Sequence, residues 1–234
     1  TNWTVTAALE QLQALEVVWR PDACLVPRLA RARHAAHANI TPATSTHTVT
    51  GGTGGLGLLT ARWLAQRGGT HALALASRGG VLLRDSTPEW MGLHATDVVT
   101  LVQRCDTAEG AHVGRLMTAA SAMGVWHAAG VLADGVLPRQ TADALALVYA
   151  PKTHGAWALQ RSFAMAKVLT VALFSSVAAL LGGPGQSNYS AANACLDALA
   201  SCRRTCARAA TSVQWGAWAE VGMAARGAAA ERMA

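Results

Sequence analysis

Lysine is almost missing from this chain: Lys152 and Lys167 stand against seventeen arginines. A surface cation in such a composition is an arginine by default, so each lysine calls for a reason. Tyrosine and phenylalanine are as sparse, two of each in 234 residues. No apolar run reaches the ~18 residues that a membrane-spanning helix needs. Val168–Leu181 comes closest, and Ser175-Ser176 interrupt it. The N-terminus, Thr1-Asn-Trp-Thr, lacks the charged-then-apolar layout of a signal peptide, which points to a cytoplasmic protein. The five cysteines contain no Cys-x-x-Cys pair and read as small buried hydrophobes, so no metal is expected. His34 and His37 read as linker residues. The net charge of +6 comes from dispersed arginines, densest at Arg28, Arg31 and Arg33 and at Arg203, Arg204 and Arg208. Without interleaved aromatics or a recognition motif this is no nucleic-acid footprint. It suits solubility and attraction to an anionic cofactor.

Four polar residues at fixed spacings stand out: Lys152, Ser176, Tyr189 and Asn193. Ser176 follows the apolar run Val168–Phe174, which reads as a buried strand. Tyr189 comes after a Gly182-Gly-Pro-Gly185 loop, where a helical pattern begins, and Asn193 lies one turn further on the same helix face. Singly, Ser176 and Asn193 read as caps. Together, a phenol, a hydroxyl, an amide and an ammonium suit one task, protonating a carbonyl oxygen while hydride reaches its carbon.

A place for the hydride donor lies upstream. Thr46–Thr50 reads as a strand running into Gly51-Gly-Thr-Gly-Gly-Leu-Gly57, and Leu58–Arg67 as a helix stopped by Gly68-Gly69. Strand, glycine loop and helix form the context of a dinucleotide fingerprint, with helix N–H groups offered to the pyrophosphate. The next strand, His71–Ala76, ends at Ser77-Arg78 rather than at an acid, which favours the 2′-phosphate of NADPH over the free ribose of NAD. Strand candidates at about 46–50, 71–76, 97–102, 123–127, 167–174 and 211–215 alternate with helical patterns, including a long one over about 187–208. That alternation predicts an α/β class with a Rossmann-like, doubly wound parallel sheet flanked by helices. The stretch from Arg78 to Cys105 reads as irregular, broken by Pro88 and Gly92.

In order, Thr50–Gly57, Ser77-Arg78, Cys105-Asp106, His127-Ala-Ala-Gly130, Ala150-Pro-Lys152, Phe174-Ser-Ser176, Gly185–Tyr189 and Trp215–Met223 resemble the ketoreductase domains of modular polyketide synthases, a branch of the short-chain dehydrogenase/reductase superfamily. The resemblance covers about residues 46–225. Most short-chain reductases place the lysine four residues after the tyrosine. Here Asn193 holds that position and the lysine stands at 152, an exchange the resemblance ties to megasynthase ketoreductases.

The resemblance implies reduction of a β-ketoacyl thioester, carried by the phosphopantetheine arm of an acyl carrier protein, with NADPH as cofactor. Tyr189 would be the proton donor, eased by the ammonium of Lys152. Ser176 would share the carbonyl oxygen, and Asn193 would position Lys152 and a returning water chain. Cofactor contacts would come from Thr50, Gly51, Thr53, Gly54, Gly55, Leu56, Gly57, Ser77, Arg78, Asp106, His127, Ala128, Ala129 and Gly130. Val131-Leu-Ala-Asp134 resembles the Leu-Asp-Asp mark of B-type enzymes with Ala133 in the middle. The A-type tryptophan position is Leu181, so Asp134 and Leu181 together imply a D-configured hydroxyl. Ala191 resembles the non-epimerising subtype.

Two other readings stand beside this one, a fatty acid synthase ketoreductase and a catalytically silent scaffold domain. Residues 1–45 resemble the close of a structural subdomain plus a linker, leaving 46–234 as the catalytic unit. Leu9–Val18 is weakly helical. Partner domains of the same megasynthase, including the rest of that subdomain, are expected, and the excerpt alone is expected to be poorly soluble because apolar surface is left uncovered.

Overall fold

The computed structural model describes residues 18–19, 24–25, 45–82, 87–163 and 167–218. Two units separate, residues Thr1–Ile40 and Thr41–Ala234. In the first, β1 (Val18–Trp19) and β2 (Cys24–Leu25) form an antiparallel pair. The segments read as weakly helical (Leu9–Val18), as linker (His34–His47) and as the terminal match (Val221–Met223) lie wholly or mostly outside the described residues.

The second unit is built on six parallel strands: β3 (Ser45–Thr50), β4 (Thr70–Ser77), β5 (Val99–Arg104), β6 (Gly124–His127), β7 (Thr170–Ser176) and β8 (Thr211–Trp215). Their order is β5-β4-β3-β6-β7-β8, a doubly wound arrangement whose direction of winding reverses beside β3. Each expected strand is present with its ends moved by three residues at most. The alternation within β4 shows how two faces are filled from one sequence. Leu73 and Leu75 point into a core with α1 (Gly55–Gln66), meeting Leu58, Ala61 and Leu64. Ala74 and Ala76 point the other way, where small side chains admit α3 (Gly110–Ala120) through Val113, Leu116 and Met117.

The segment read as irregular contains a helix, α2 (Thr87–His94). Pro88 does not break it, because a proline in the first turn removes only an N–H that has no partner there. Gly92 packs where a Cβ would crowd the Arg62 guanidinium at 2.9 Å. After β6, α4 (Ala142–Tyr149) and α5 (Gly155–Ser162) are joined by a π-helical turn, Ala150–His154, which the sequence does not announce. Beyond β7 come the short α6 (Ala178–Leu181) and the long α7 (Ser187–Thr205), whose Leu196, Leu199 and Ala200 pack on Val171 and Leu173.

Candidate active site

All six strands point their C-terminal ends the same way, and the cavity opens there, the place where open α/β sheets bind ligands. It measures about 680 Å³. The glycine loop forms one wall. Gly51 has φ +68° and lies so close to the strand-β6 loop that a Cβ would sit 2.8 Å from the Ala128 carbonyl oxygen. A Cβ on Gly57 would sit 2.7 Å from the Gly51 carbonyl carbon. The loop is therefore a cradle that only hydrogen side chains permit. It leads into α1, whose first turn carries no acid, so its positive N-terminal end stays uncompensated. Gly51, Thr53, Gly54, Gly55, Leu56 and Gly57 line the cavity, as do Ser77, Arg78, Ala128, Ala129 and Gly130. This donor set fits a dinucleotide.

Opposite the loop stand three of the four polar residues. Ser176 at the end of β7 and Tyr189 in the first turn of α7 both line the cavity. The Ser176 hydroxyl also accepts the Ala178 N–H at 3.1 Å. Lys152 lines the cavity from the π-helical turn while being 3 % exposed. Its ammonium donates to the Phe174 carbonyl at 2.9 Å and lies 5.3 Å from the centroid of the Tyr189 ring. Asn193 is fully buried behind them, its amide donating to the Tyr189 carbonyl at 2.8 Å one turn back.

Several expected contacts are placed elsewhere. Thr50 and His127 do not line the cavity: both are fully buried, and Thr50 Oγ1 lies 2.7 Å from His127 Nδ1. Their side chains support the floor rather than touch what lies on it. Asp106 is also off the lining, its carboxylate accepting the Ala108 N–H at 3.0 Å, while its neighbours Cys105 and Thr107 line the wall. Leu181 is 74 % exposed and outside the cavity. Asp134 accepts from the Gln186 amide at 3.3 and 3.4 Å, and Gln186 lines the cavity. The loop around Asp134 is clasped to the loop before Tyr189 by two further bonds, Gly135 N–H to Gly185 O and Asn188 Nδ2 to Ala133 O, each 2.8 Å.

Residues given no site role from the sequence complete the wall. Trp215 and Trp218 stack edge to face, 5.7 Å between centroids, and both line the cavity beside Phe174. Thr107 donates to the Pro151 carbonyl at 3.1 Å. The Trp215-Gly-Ala-Trp218 spacing carried a hint of the aromatic pair, but nothing in sequence joins Thr107 to a turn forty-four residues away.

Burial dominates the electrostatics. It pushes Lys152 down to about 7, with Asp197 opposing, so the amine is partly neutral at physiological pH. It pushes the Tyr189 phenol up, against the Asn193 and Ser176 side chains that favour the phenolate. The site as it stands thus holds the tyrosine proton rather than loosening it. Fully buried His127 is pushed down to about 4.

That last shift sets an acid limit on stability. Between pH 6.5 and about 4 the unfolded chain binds a proton at His127 that the folded chain refuses, so stability falls with pH across that window. The loss from this group is on the order of 3 kcal/mol by pH 4. His47, also buried, shifts the same way and adds to it. Chemical denaturation at several pH values should show this slope, and His127→Gln should flatten it without abolishing it.

Among the described residues there is no helix long and apolar enough to cross a membrane and no cluster of three metal-ligating side chains. Residues 45–220 match the family model described as KR domain. The chain is 38% identical over 207 residues to polyketide synthase GfsA of Streptomyces halstedii, covering 87% of this chain and 3% of that protein. It is 41% identical over 181 residues to spectinabilin polyketide synthase system protein NorB of Streptomyces orinoci, covering 74% of this chain and 8% of that one. The chain thus spans a small part of the curated relatives it matches. Among solved structures, an A1-type ketoreductase is similar with a TM-score of 0.85 at 33% identity, covering 95% of this chain and 48% of that one. A C2-type ketoreductase from a modular polyketide synthase is similar with a TM-score of 0.82 at 30% identity, covering 97% of this chain and 50% of that one. Overall likeness therefore does not separate the types. The family match over the whole sheet, with the site at its strand ends, places this chain among the ketoreductase domains of modular polyketide synthases, within the short-chain dehydrogenase/reductase superfamily.

Proposed function

We propose that this domain uses NADPH to reduce a β-ketoacyl thioester, presented by an acyl carrier protein, to the D-configured β-hydroxyacyl thioester. The observation that carries the reading is the meeting of Tyr189 and Ser176 on one cavity wall, with Lys152 buried against the tyrosine ring and the glycine cradle opposite. Arg78, at the end of β4 on the same cavity, supports the choice of the phosphorylated dinucleotide.

The bound nicotinamide would supply the hydride. Ser176 Oγ and the Tyr189 phenol hold the ketone oxygen, two donors aimed where negative charge develops. Tyr189 then gives its proton to that oxygen. The Lys152 ammonium beside the ring favours the departing phenolate. Asn193 Oδ1, a buried acceptor with no hydrogen-bond donor among the described residues, is the atom through which a water chain would return the proton. Stereochemistry is read from Asp134, whose loop is clasped by Gln186 and Asn188 ahead of Tyr189, together with Leu181 at the position of the A-type tryptophan.

Spectrophotometric oxidation of NADPH and of NADH with a β-ketoacyl thioester analogue, followed by chiral analysis of the alcohol, tests the reading. The expected result is turnover with NADPH at least about tenfold above NADH, narrowing in Arg78→Ala, since a lost charged phosphate contact is worth about 1.5–3 kcal/mol. An L-configured product would overturn the stereochemical part alone. Absence of turnover and of NADPH binding in folded protein would overturn the whole.

A further inference from the structure

A π-helical turn widens the helix by one residue, and its carbonyls lose their ordinary N–H partners. In Ala150–His154 the shortage is made worse by Pro151, which has no N–H to give. The Gly155 N–H reaches back to Ala150 O and Lys152 O. Two further bonds come from outside the helix, one to Pro151 O and a second one to Lys152 O. Thr107 Oγ1 donates to Pro151 O at 3.1 Å, and His127 Nε2 lies 2.9 Å from Lys152 O. Both bonds are buried.

Chemistry fixes the direction of the histidine's bonds. A carbonyl can only accept, so Nε2 carries the hydrogen and Nδ1 must accept one. Thr50 Oγ1, 2.7 Å from Nδ1, donates it. Thr50 and His127 are paired in register at the ends of β3 and β6, so the brace is anchored in the middle of the sheet. Glycines make room for it. A Cβ on Gly155 would stand 2.8 Å from Thr107 Oγ1 and 3.1 Å from His127 Cε1. A Cβ on Gly130 would stand 2.9 Å from Lys152 Cε.

We infer that His127 is a positioning residue for Lys152: braced by Thr50, it fastens the carbonyl of the π-helical turn and so fixes where the lysine's ammonium stands beside Tyr189. The lysine is then held at both ends, its backbone by β6 and its Nζ by the Phe174 carbonyl of β7. The inference rests on the proposed pairing of Lys152 with Tyr189 for proton delivery. His127 never reaches the cavity, so any effect it has on the reaction passes through the lysine.

Two variants of the full chain separate positioning from packing. In His127→Gln an amide N–H takes the place of Nε2–H, whereas His127→Leu fills the volume without a donor. The expected result is a kcat within about threefold of wild type for the glutamine variant and about 30- to 100-fold lower for the leucine variant, as a displaced catalytic group costs. KM and the NADPH dissociation constant should stay within about threefold in both. Equal loss in the two variants, or no loss in His127→Leu, would overturn the inference. Should the leucine variant fail to fold, Thr50→Val removes the brace from its other end and should lower kcat in the same direction.

The scarcity of lysine gives a readout that does not depend on turnover. With ¹⁵N-lysine labelling only Lys152 and Lys167 contribute Nζ signals. The wild-type Lys152 signal should titrate near neutrality and keep its midpoint in His127→Gln. In His127→Leu or Thr50→Val a freed side chain reaches water, and the midpoint should rise by at least about one pH unit. An unmoved midpoint in both would overturn the inference even if the protein reduces ketones. A moved midpoint in a protein that reduces none would leave the brace standing and remove only the reductase reading.

Discussion

Tyr189→Phe is expected to lower kcat for ketone reduction by about a thousandfold while NADPH affinity stays within about twofold of wild type. The change removes one oxygen and keeps the ring, so the packing against the Lys152 ammonium survives. On the proposed mechanism, what is lost is the proton donor and one of two hydrogen bonds to the developing alkoxide. General acid catalysis is worth roughly 10²–10⁴ in rate, and Ser176 remains as a single donor, which places the expectation mid-range. Equilibrium titration of cofactor fluorescence beside the rate assay checks both halves. A variant that keeps a tenth of wild-type activity would mean that water delivers the proton. Loss of cofactor affinity in step with rate would mean that Tyr189 shapes the nicotinamide end rather than the chemistry.

Gly57→Ala is expected to weaken NADPH binding by at least about a hundredfold and to lower the unfolding midpoint. The added methyl collides with the Gly51 carbonyl, a backbone group that cannot rotate out of the way. Relief requires the glycine loop to separate from the start of α1, and the helix N-terminus then leaves the position that makes it an anion site. Overpacking of this kind costs about 1–3 kcal/mol in side-chain cores, and a backbone clash has fewer escapes. Gly114→Ala is the matched control. It lies inside α3 with nothing within 4 Å of the added carbon, so it should raise stability by about 0.5–1 kcal/mol and leave binding unchanged. Thermal melts and binding isotherms of the pair read out both effects.

The sheet was legible because its signal is local. β4, β6 and β7 carry short apolar runs between turn residues, and β3, in which only Val49 is apolar, forms with the glycine loop and α1 a contiguous stretch whose chemistry needs no distant partner. Tyr189 and Asn193 were legible as neighbours because helical spacing alone brings them together. The brace of Thr50, His127 and Thr107 was not, since its geometry exists only after β3, β6 and the π-helical turn have met. His127 looked like a cofactor contact by its place in the chain, and only burial shows that its ring points into the protein. Helix α2 was hidden by a proline and a glycine that ordinarily end helices but here occupy its first turn and a tight contact with Arg62. The role sketched for Lys152 also meets a physical counterweight, because the burial that brings it to Tyr189 drives off its charge.

The strand order has a consequence for how the domain comes into being. β3 sits in the middle of the sheet yet is the first of its six strands to be synthesised. One side is closed soon by β4, but the other waits for Gly124–His127. Tyr189 and Trp215 follow later still. At about 5–20 residues per second, Tyr189 emerges roughly seven to thirty seconds after the glycine loop. Through that interval the unpaired edge of β3 stands open, which exposes the nascent chain to misassociation and makes non-local closure the slow step. The glycine cradle and Tyr189 are therefore products of separate moments of translation, and they form one chamber only when the last strands dock.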